Sequence, residues 1–189
     1  MKFMKIGFWL GFALIFLMYA FVYFGIVWPK NVGDNSAAMS RLDALVSCTN
    51  GGFVLPGLAV ACEQTLTRLE FSPGEIDFLN VSGGIGILAE SNKDLAQKML
   101  PRLISKGVDI NLPVATNNVR EKQWTTLHHA VFYPPWWTEL LLKNNADSHR
   151  VDAYGQTPLD LAKELVKKKP SNSDWVVIVR LLEQNEKRP

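Results

Sequence analysis

The apolar residues of this chain fall into two kinds of pattern. From Ile6 to Trp28 there is no charged residue. Farther along, apolar residues recur every three or four positions between polar ones, which is the spacing that places them on one face of an amphipathic helix. The sequence therefore predicts an all-α protein, with one uniformly apolar helix followed by several short amphipathic ones.

The uncharged segment is long enough to cross a bilayer, which takes roughly 20 apolar residues. Trp9, Tyr23 and Trp28 suit the membrane interfaces, and Lys2 and Lys5 on a short tail favour a cytoplasmic N-terminus. We predict a single-pass anchor over residues 1–28 in the inner membrane, with the C-terminal domain in the periplasm. A cleaved signal peptide is the alternative, although no small-x-small cleavage site follows the segment.

Two stretches farther along are near copies of each other. Thr125-Thr126-Leu127-His128-His129-Ala130 returns 32 positions later as Thr157-Pro158-Leu159-Asp160-Leu161-Ala162. Thr157 can cap a helix, and Pro158 suits its first position. Between the copies, Leu140 to Leu142 supply the buried stripe of a second helix, and Asn145 can take the left-handed conformation that ends it.

This period and the Thr-Pro-Leu-His-like start resemble the ankyrin repeat. The resemblance covers about residues 80–185, and it implies a short solenoid of about three helix pairs, the first and last irregular. Upstream, Leu103 to Asn111 resembles a repeat ending, with Gly107 as the helix stop and a first helix near Ile85 to Ala89. Downstream, Trp175 to Glu183 supplies a second helix after a lengthened turn over Lys167 to Asp174.

Several residues depart from the repeat pattern. Thr126 replaces the usual Pro, and Asp160 replaces the usual His. Pro101 should bend or shorten its helix, and Tyr133-Pro134-Pro135 stands where a glycine-containing turn is usual. These departures predict an irregular array.

The region before the repeats divides into a linker and a cap. Pro, Gly and Asn mark residues 29–35 as a short linker, and residues 36–80 read as helices that cap the repeats of residues 81–189. Ser36 could begin a first helix. Leu58, Cys62, Leu66 and Leu69 form the stripe of a second, and Ser72-Pro73-Gly74-Glu75 is a capping-box signature for a third.

Cys48 and Cys62 are the chain's two cysteines. In an exported domain such a pair suits a disulfide, which would join two cap helices. The alternative is two small buried apolar side chains.

The remaining residues give no sign of catalysis, a cofactor or a metal. The formal net charge is only +2, without a nucleic-acid footprint, and Lys167-Lys168-Lys169 is typical of a solvated loop. The three histidines match no zinc spacing, and in the ankyrin resemblance His128 is structural. Since no nucleophile motif or phosphate loop is present, we predict that the protein is not an enzyme and has no small-molecule substrate.

Recognition is expected in the irregular segments, because long loops on a rigid scaffold are where binding residues concentrate. Leu112 to Gln123 is an insertion, and the next loop should face the same way. Tyr133 and Trp136 near the turn are either partner anchors or core residues, whereas Trp137 is expected in the core. The predicted partner-binding residues are Asn117, Asn118, Arg120, Lys122, Tyr133, Trp136, His149, Arg150, Asp152 and Tyr154.

A membrane-tethered, non-catalytic binding domain resembles bacterial immunity proteins, which neutralise a secreted antibacterial effector such as a phospholipase. This expectation rests on analogy of architecture. The alternative is an envelope scaffold that organises a membrane protein complex.

The predicted topology can be tested with a reporter fused after Pro189. We expect activity only from a reporter that functions in the exported compartment, because the lysines before Ile6 to Trp28 keep the N-terminus cytoplasmic. A reporter that requires the cytoplasm is the matched control. Activity of that second fusion alone would contradict the orientation.

Overall fold

The structure is a computed structural model and describes residues 56–82, 84–115, 118 and 123–187. The predicted anchor Ile6 to Trp28, the linker, the first cap helix and Cys48 lie outside these residues, as does the side chain of Cys62. Of the described helices, none is both long and apolar enough to cross a membrane.

The described residues fold into seven α-helices and one 3₁₀-helix. In chain order they are α1 Pro56–Arg68, α2 Pro73–Ser82, η1 Gly84–Glu90, α3 Lys93–Ser105, α4 Thr126–Ala130, α5 Pro135–Lys143, α6 Pro158–Lys168 and α7 Ser173–Glu186. Over this part of the chain the only strand-like pairing is an isolated bridge between Pro113 and Thr125. The all-α class is therefore confirmed for the described residues.

These helices pack in two layers. In one layer, η1 contacts α2 and α4, and α4 contacts α6; in the other, α3 contacts α1 and α5, and α5 contacts α7. Between the layers, η1 packs on α3, α4 on α5 and α6 on α7. We call these three helix pairs the first, second and third units. Because each unit contacts its neighbours in sequence, the pairs form a stacked array.

One apolar core runs along the whole array, from Leu66 to Leu182. Trp137 is among its largest fully buried side chains, as the sequence predicted. Leu159 and Ala162, three positions apart on α6, are also buried, because that spacing places both side chains on one helix face.

The predicted helix ends are confirmed. Gly107 and Asn145 have positive φ angles of 109° and 63°, the left-handed conformation that closes a helix. The following N–H groups, of Val108 and Ala146, then donate back into α3 and α5 at 3.1 and 3.0 Å.

The two predicted helix starts are also present. Ser72 N–H donates to Glu75 Oε2 at 2.8 Å, which is the backward half of a capping box. At α6, Asp160 N–H donates to Thr157 Oγ1 at 3.1 Å, and Thr157 N–H donates to Asp160 Oδ2 at 3.0 Å.

One local prediction is wrong, and the structure adds detail to two others. Lys167 and Lys168 belong to α6, whose last turn favours positive charge, so the expected long turn shrinks to residues 169–172. Helix α3 runs through Pro101 without ending there. The first helix of the first unit is the 3₁₀-helix η1, in which Ile85 and Leu88 are buried at the three-residue spacing of that helix type.

His128 joins the second unit to the third and is fully buried. Thr125 N–H donates to its Nδ1 at 3.1 Å, so Nε2 carries the proton and donates to the Gln156 carbonyl at 3.1 Å. The imidazole thus holds the start of α4 and the loop before α6 together, which is the structural use predicted. Burial lowers the pKa of His128 below its usual value.

The lowered pKa of His128 predicts that stability depends on pH. An unfolded histidine titrates near 6.5, so below about pH 6.5 the unfolded chain binds more protons than the folded one, and stability falls. We expect a lower thermal midpoint at about pH 5.5 than at about pH 7.5. The His128→Gln variant should lose stability at both pH values and show a weaker pH dependence. An equally steep decline in that variant would refute the assignment.

Candidate protein-binding surface

Two loops follow α3 and α5 and are built alike. Each begins with a left-handed residue, Gly107 or Asn145, and continues to an aspartate two positions later. Asp109 Oδ1 accepts the N–H of Asn111, and Asp147 Oδ1 accepts the N–H of His149, both at 2.9 Å. The two loops therefore have the same local turn, repeated 38 positions apart.

Asparagine side chains hold successive segments in register. Asn80 Oδ1 accepts the N–H of Asp109 at 2.8 Å. One unit on, Asn111 Oδ1 accepts the N–H of Asp147, also at 2.8 Å. Asn80 is on α2 and Asn111 is in the loop after α3, so each bond ties the start of a loop to the segment that precedes it in the array.

Asp152 ties the long first loop to the second. It is only 4% exposed, and its Oδ2 accepts the indole N–H of Trp124 at 3.0 Å. Its Oδ1 accepts the N–H groups of Tyr154 and Gln156 at 2.8 and 2.9 Å. We expected Asp152 at the partner surface; enclosed by these donors, its carboxylate instead stabilises the junction between the loops.

A cleft of about 120 Å³ opens beside this junction. Its walls come from η1, the first loop, α4 and the turn after α4, and its lining residues are Gly86, Val114, Thr126, His129 and Tyr133. Two backbone bonds hold the loop wall, since Val114 N–H donates to Trp124 O and Ala115 N–H to Val81 O, both at 2.8 Å. The cleft is therefore shaped by two consecutive units.

An exposed aromatic ring lies in the turn after α4, beside the cleft. Phe132 is 51% exposed, and its ring stacks on Trp124 at a centroid distance of 5.7 Å. Trp124 in turn meets His129 edge-on at 5.2 Å. We call Phe132, Trp124 and His129 the aromatic edge; since His129 also lines the cleft, the two features are continuous.

The two predicted aromatic anchors lie in different surroundings. Tyr133 lines the cleft and is half-buried, and this burial raises the pKa of its hydroxyl. Trp136 packs against the core and meets Trp137 edge-on at 5.9 Å. The structure therefore places Tyr133, but not Trp136, in the cleft.

The other predicted residues belong to the two loops. His149, Arg150 and Tyr154 are exposed on the second loop, where Arg150 Nε lies 3.7 Å from Asp147 Oδ2. Asn118 is exposed on the first loop. Asn117, Arg120 and Lys122 lie outside the described residues, so their role stays a prediction.

Four of the residues that line the cleft were not predicted from the sequence: Gly86, Val114, Thr126 and His129. Thr126 and His129 are three positions apart, which places them on one face of α4, and that spacing was the available signal. Gly86 gives no such signal, because a glycine between apolar residues has many explanations.

Among the described residues, no group of His, Cys, Asp or Glu side chains could hold a metal ion. Comparisons of the chain with protein-family models, curated proteins and solved structures found no match. The described residues thus form an array of helix pairs with a shaped cleft between the first two units.

The enclosed Asp152 carboxylate predicts a large loss of stability on removal. In Asp152→Ala three donors lose their acceptor, and the buried Trp124 indole N–H is left unpaired, so we expect a loss of about 2 to 3 kcal/mol. Asp147→Ala on the exposed part of the same loop is the control, with an expected cost of about 1 kcal/mol or less. Urea unfolding measures the free energy of unfolding of both variants. Equal losses would contradict the role of Asp152 in stabilising the junction between the loops.

Proposed function

We propose that residues 81–189 form a short ankyrin-like array that binds a protein through the cleft and the aromatic edge. The near-copies at Thr125 and Thr157, the two helix layers and the matching helix ends support the ankyrin-like assignment. Repeat arrays of this kind present rigid surfaces to partners.

The observation that carries the binding proposal is Phe132, exposed in the turn after α4 and next to Tyr133 of the cleft wall. An aromatic ring fixed by stacking on Trp124 loses little conformational freedom when a partner covers it. Aromatic anchors beside a concave, mostly apolar cleft are the usual centres of binding energy in protein interfaces. A protruding apolar side chain of a partner would fill the space between Gly86 and Tyr133.

We further propose that the partner is a secreted antibacterial effector, such as a phospholipase, and that this protein neutralises it as an immunity protein. In this proposal Ile6 to Trp28 anchors the array to the inner membrane and the array faces the periplasm. A toxin that acts in the envelope must be met there, and a rigid non-catalytic surface can block its active site. The support is the architecture, by analogy.

An envelope scaffold is the second candidate. One observation favours it: the third unit carries another apolar groove, lined by Val166, Val176 and Val179. A protein with two binding surfaces suits the organisation of a complex.

The cleft can be filled by substitution at Gly86. A Cβ added at Gly86 meets no atom within 4 Å, so Gly86→Ala should be tolerated, with a stabilisation of up to about 0.5 kcal/mol. Gly86→Leu places a larger side chain at the cleft wall and should abolish capture of the partner in a pull-down with the full chain. The thermal midpoint should change little in either variant.

Gln97→Leu, on the exposed face of α3, is the matched control and should capture the partner normally. Capture of a toxic hydrolase that is inhibited stoichiometrically would support the immunity proposal. Capture of assembled envelope proteins only would favour the scaffold. Undiminished capture by folded Gly86→Leu would rule out the cleft as the binding surface.

A further inference from the structure

The third unit carries an apolar groove that the cleft does not involve. Lys163, Val166 and Lys167 of α6 line it together with Val176 and Val179 of α7, and they enclose about 270 Å³. Val176 is 40% exposed, and the adjacent Val177 is 38% exposed. We call this feature the end groove.

Two positions of the second unit that correspond to lining residues of the groove are buried. Val131 follows Thr125 by six positions, as Lys163 follows Thr157, and Val131 is fully buried. Thr138, which follows the core residue Trp137 as Val179 follows the core residue Ile178, is also fully buried. There α6 stacks on α4, and α7 stacks on α5. The end groove is therefore the face on which an array of this geometry receives another helix.

The rim of the groove carries lysines, and not all of them form an ion pair with a carboxylate of the third unit. Lys163 pairs with Glu183 at 2.9 Å, and Lys168 pairs with Glu164 at 2.6 Å. Among the ion pairs of the described residues, none includes Lys167. Lys167 lines the groove itself, so an occupant with carboxylates at its edge would find a charge partner there.

This charge decides between two occupants. A second copy stacked through the same face would bring the lysine-lined rims of both copies together, and like charges in apposition oppose binding. A helix with an apolar stripe flanked by Asp or Glu matches both the valines and Lys167. Helix-in-groove recognition uses that pattern of apolar side chains at three- and four-residue spacing.

We infer that the end groove binds an acidic amphipathic helix of a protein partner. The apolar stripe of that helix packs on Val166, Val176 and Val179, and its carboxylates face Lys167. This surface is separate from the cleft, so its test is independent of the partner binding proposed there; only the scaffold candidate draws on the same groove.

The test uses the full chain and two synthetic helices of about four turns. Both carry the same leucine stripe, flanked by glutamates in one and by lysines in the other, and binding is followed by fluorescence anisotropy. We expect saturable binding of the glutamate helix, weakened by salt, and little binding of the lysine helix. Equal binding of the two helices, or binding of neither, would overturn the inference.

Variants of the full chain locate the site. Val176→Ser and Lys167→Glu should each weaken binding of the glutamate helix about threefold to tenfold. Val60→Ser and Lys93→Glu, at exposed positions on α1 and α3, are matched controls and should bind normally. Self-association that Val176→Ser abolishes would overturn the inference in favour of a second copy. Unchanged binding in both groove variants would also overturn it.

Discussion

The array depends on hydrogen bonds that pass from one helix pair to the next, and the fully buried His128 side chain makes one of these. It accepts from Thr125 and donates to Gln156, so one side chain positions two loops. At the equivalent place in the third unit, Asp160 bonds only to Thr157 and closes its own helix start.

Hydrogen bonds between consecutive segments also position the candidate site. Asn80 and Asn111 accept hydrogen bonds from the loops after α3 and α5, and Asp152 accepts one from the Trp124 indole. Trp124 then supports Phe132, the exposed ring beside the cleft. The surface that we assign to binding thus rests on the buried Asp152 carboxylate and on two half-buried asparagines, so its shape is fixed before a partner arrives.

Local signals allowed the helix ends at Gly107 and Asn145, the cap at Thr157 and the core position of Trp137 to be predicted from sequence. Each depends on residues within one or two helical turns. The cleft could not be predicted, because its walls come from η1, a loop and α4, whose contacts follow no fixed spacing. Asp152 was misassigned for the same reason: its indole partner lies 28 positions earlier. Lys167 and Lys168 were assigned to a turn because consecutive lysines are typical of a solvated loop. Positive charge also suits the last turn of a helix, which is where these two residues lie.

The position of the cleft between two units has a consequence for how the array moves. The main helix contacts of each described unit are with its neighbours, so units can open one at a time. Gly86 belongs to the first unit and His129 to the second, and an occupant between them adds its binding energy to that junction. A partner bound in the cleft would therefore make the first and second units open together. Binding at one junction would in this way change how the whole array unfolds.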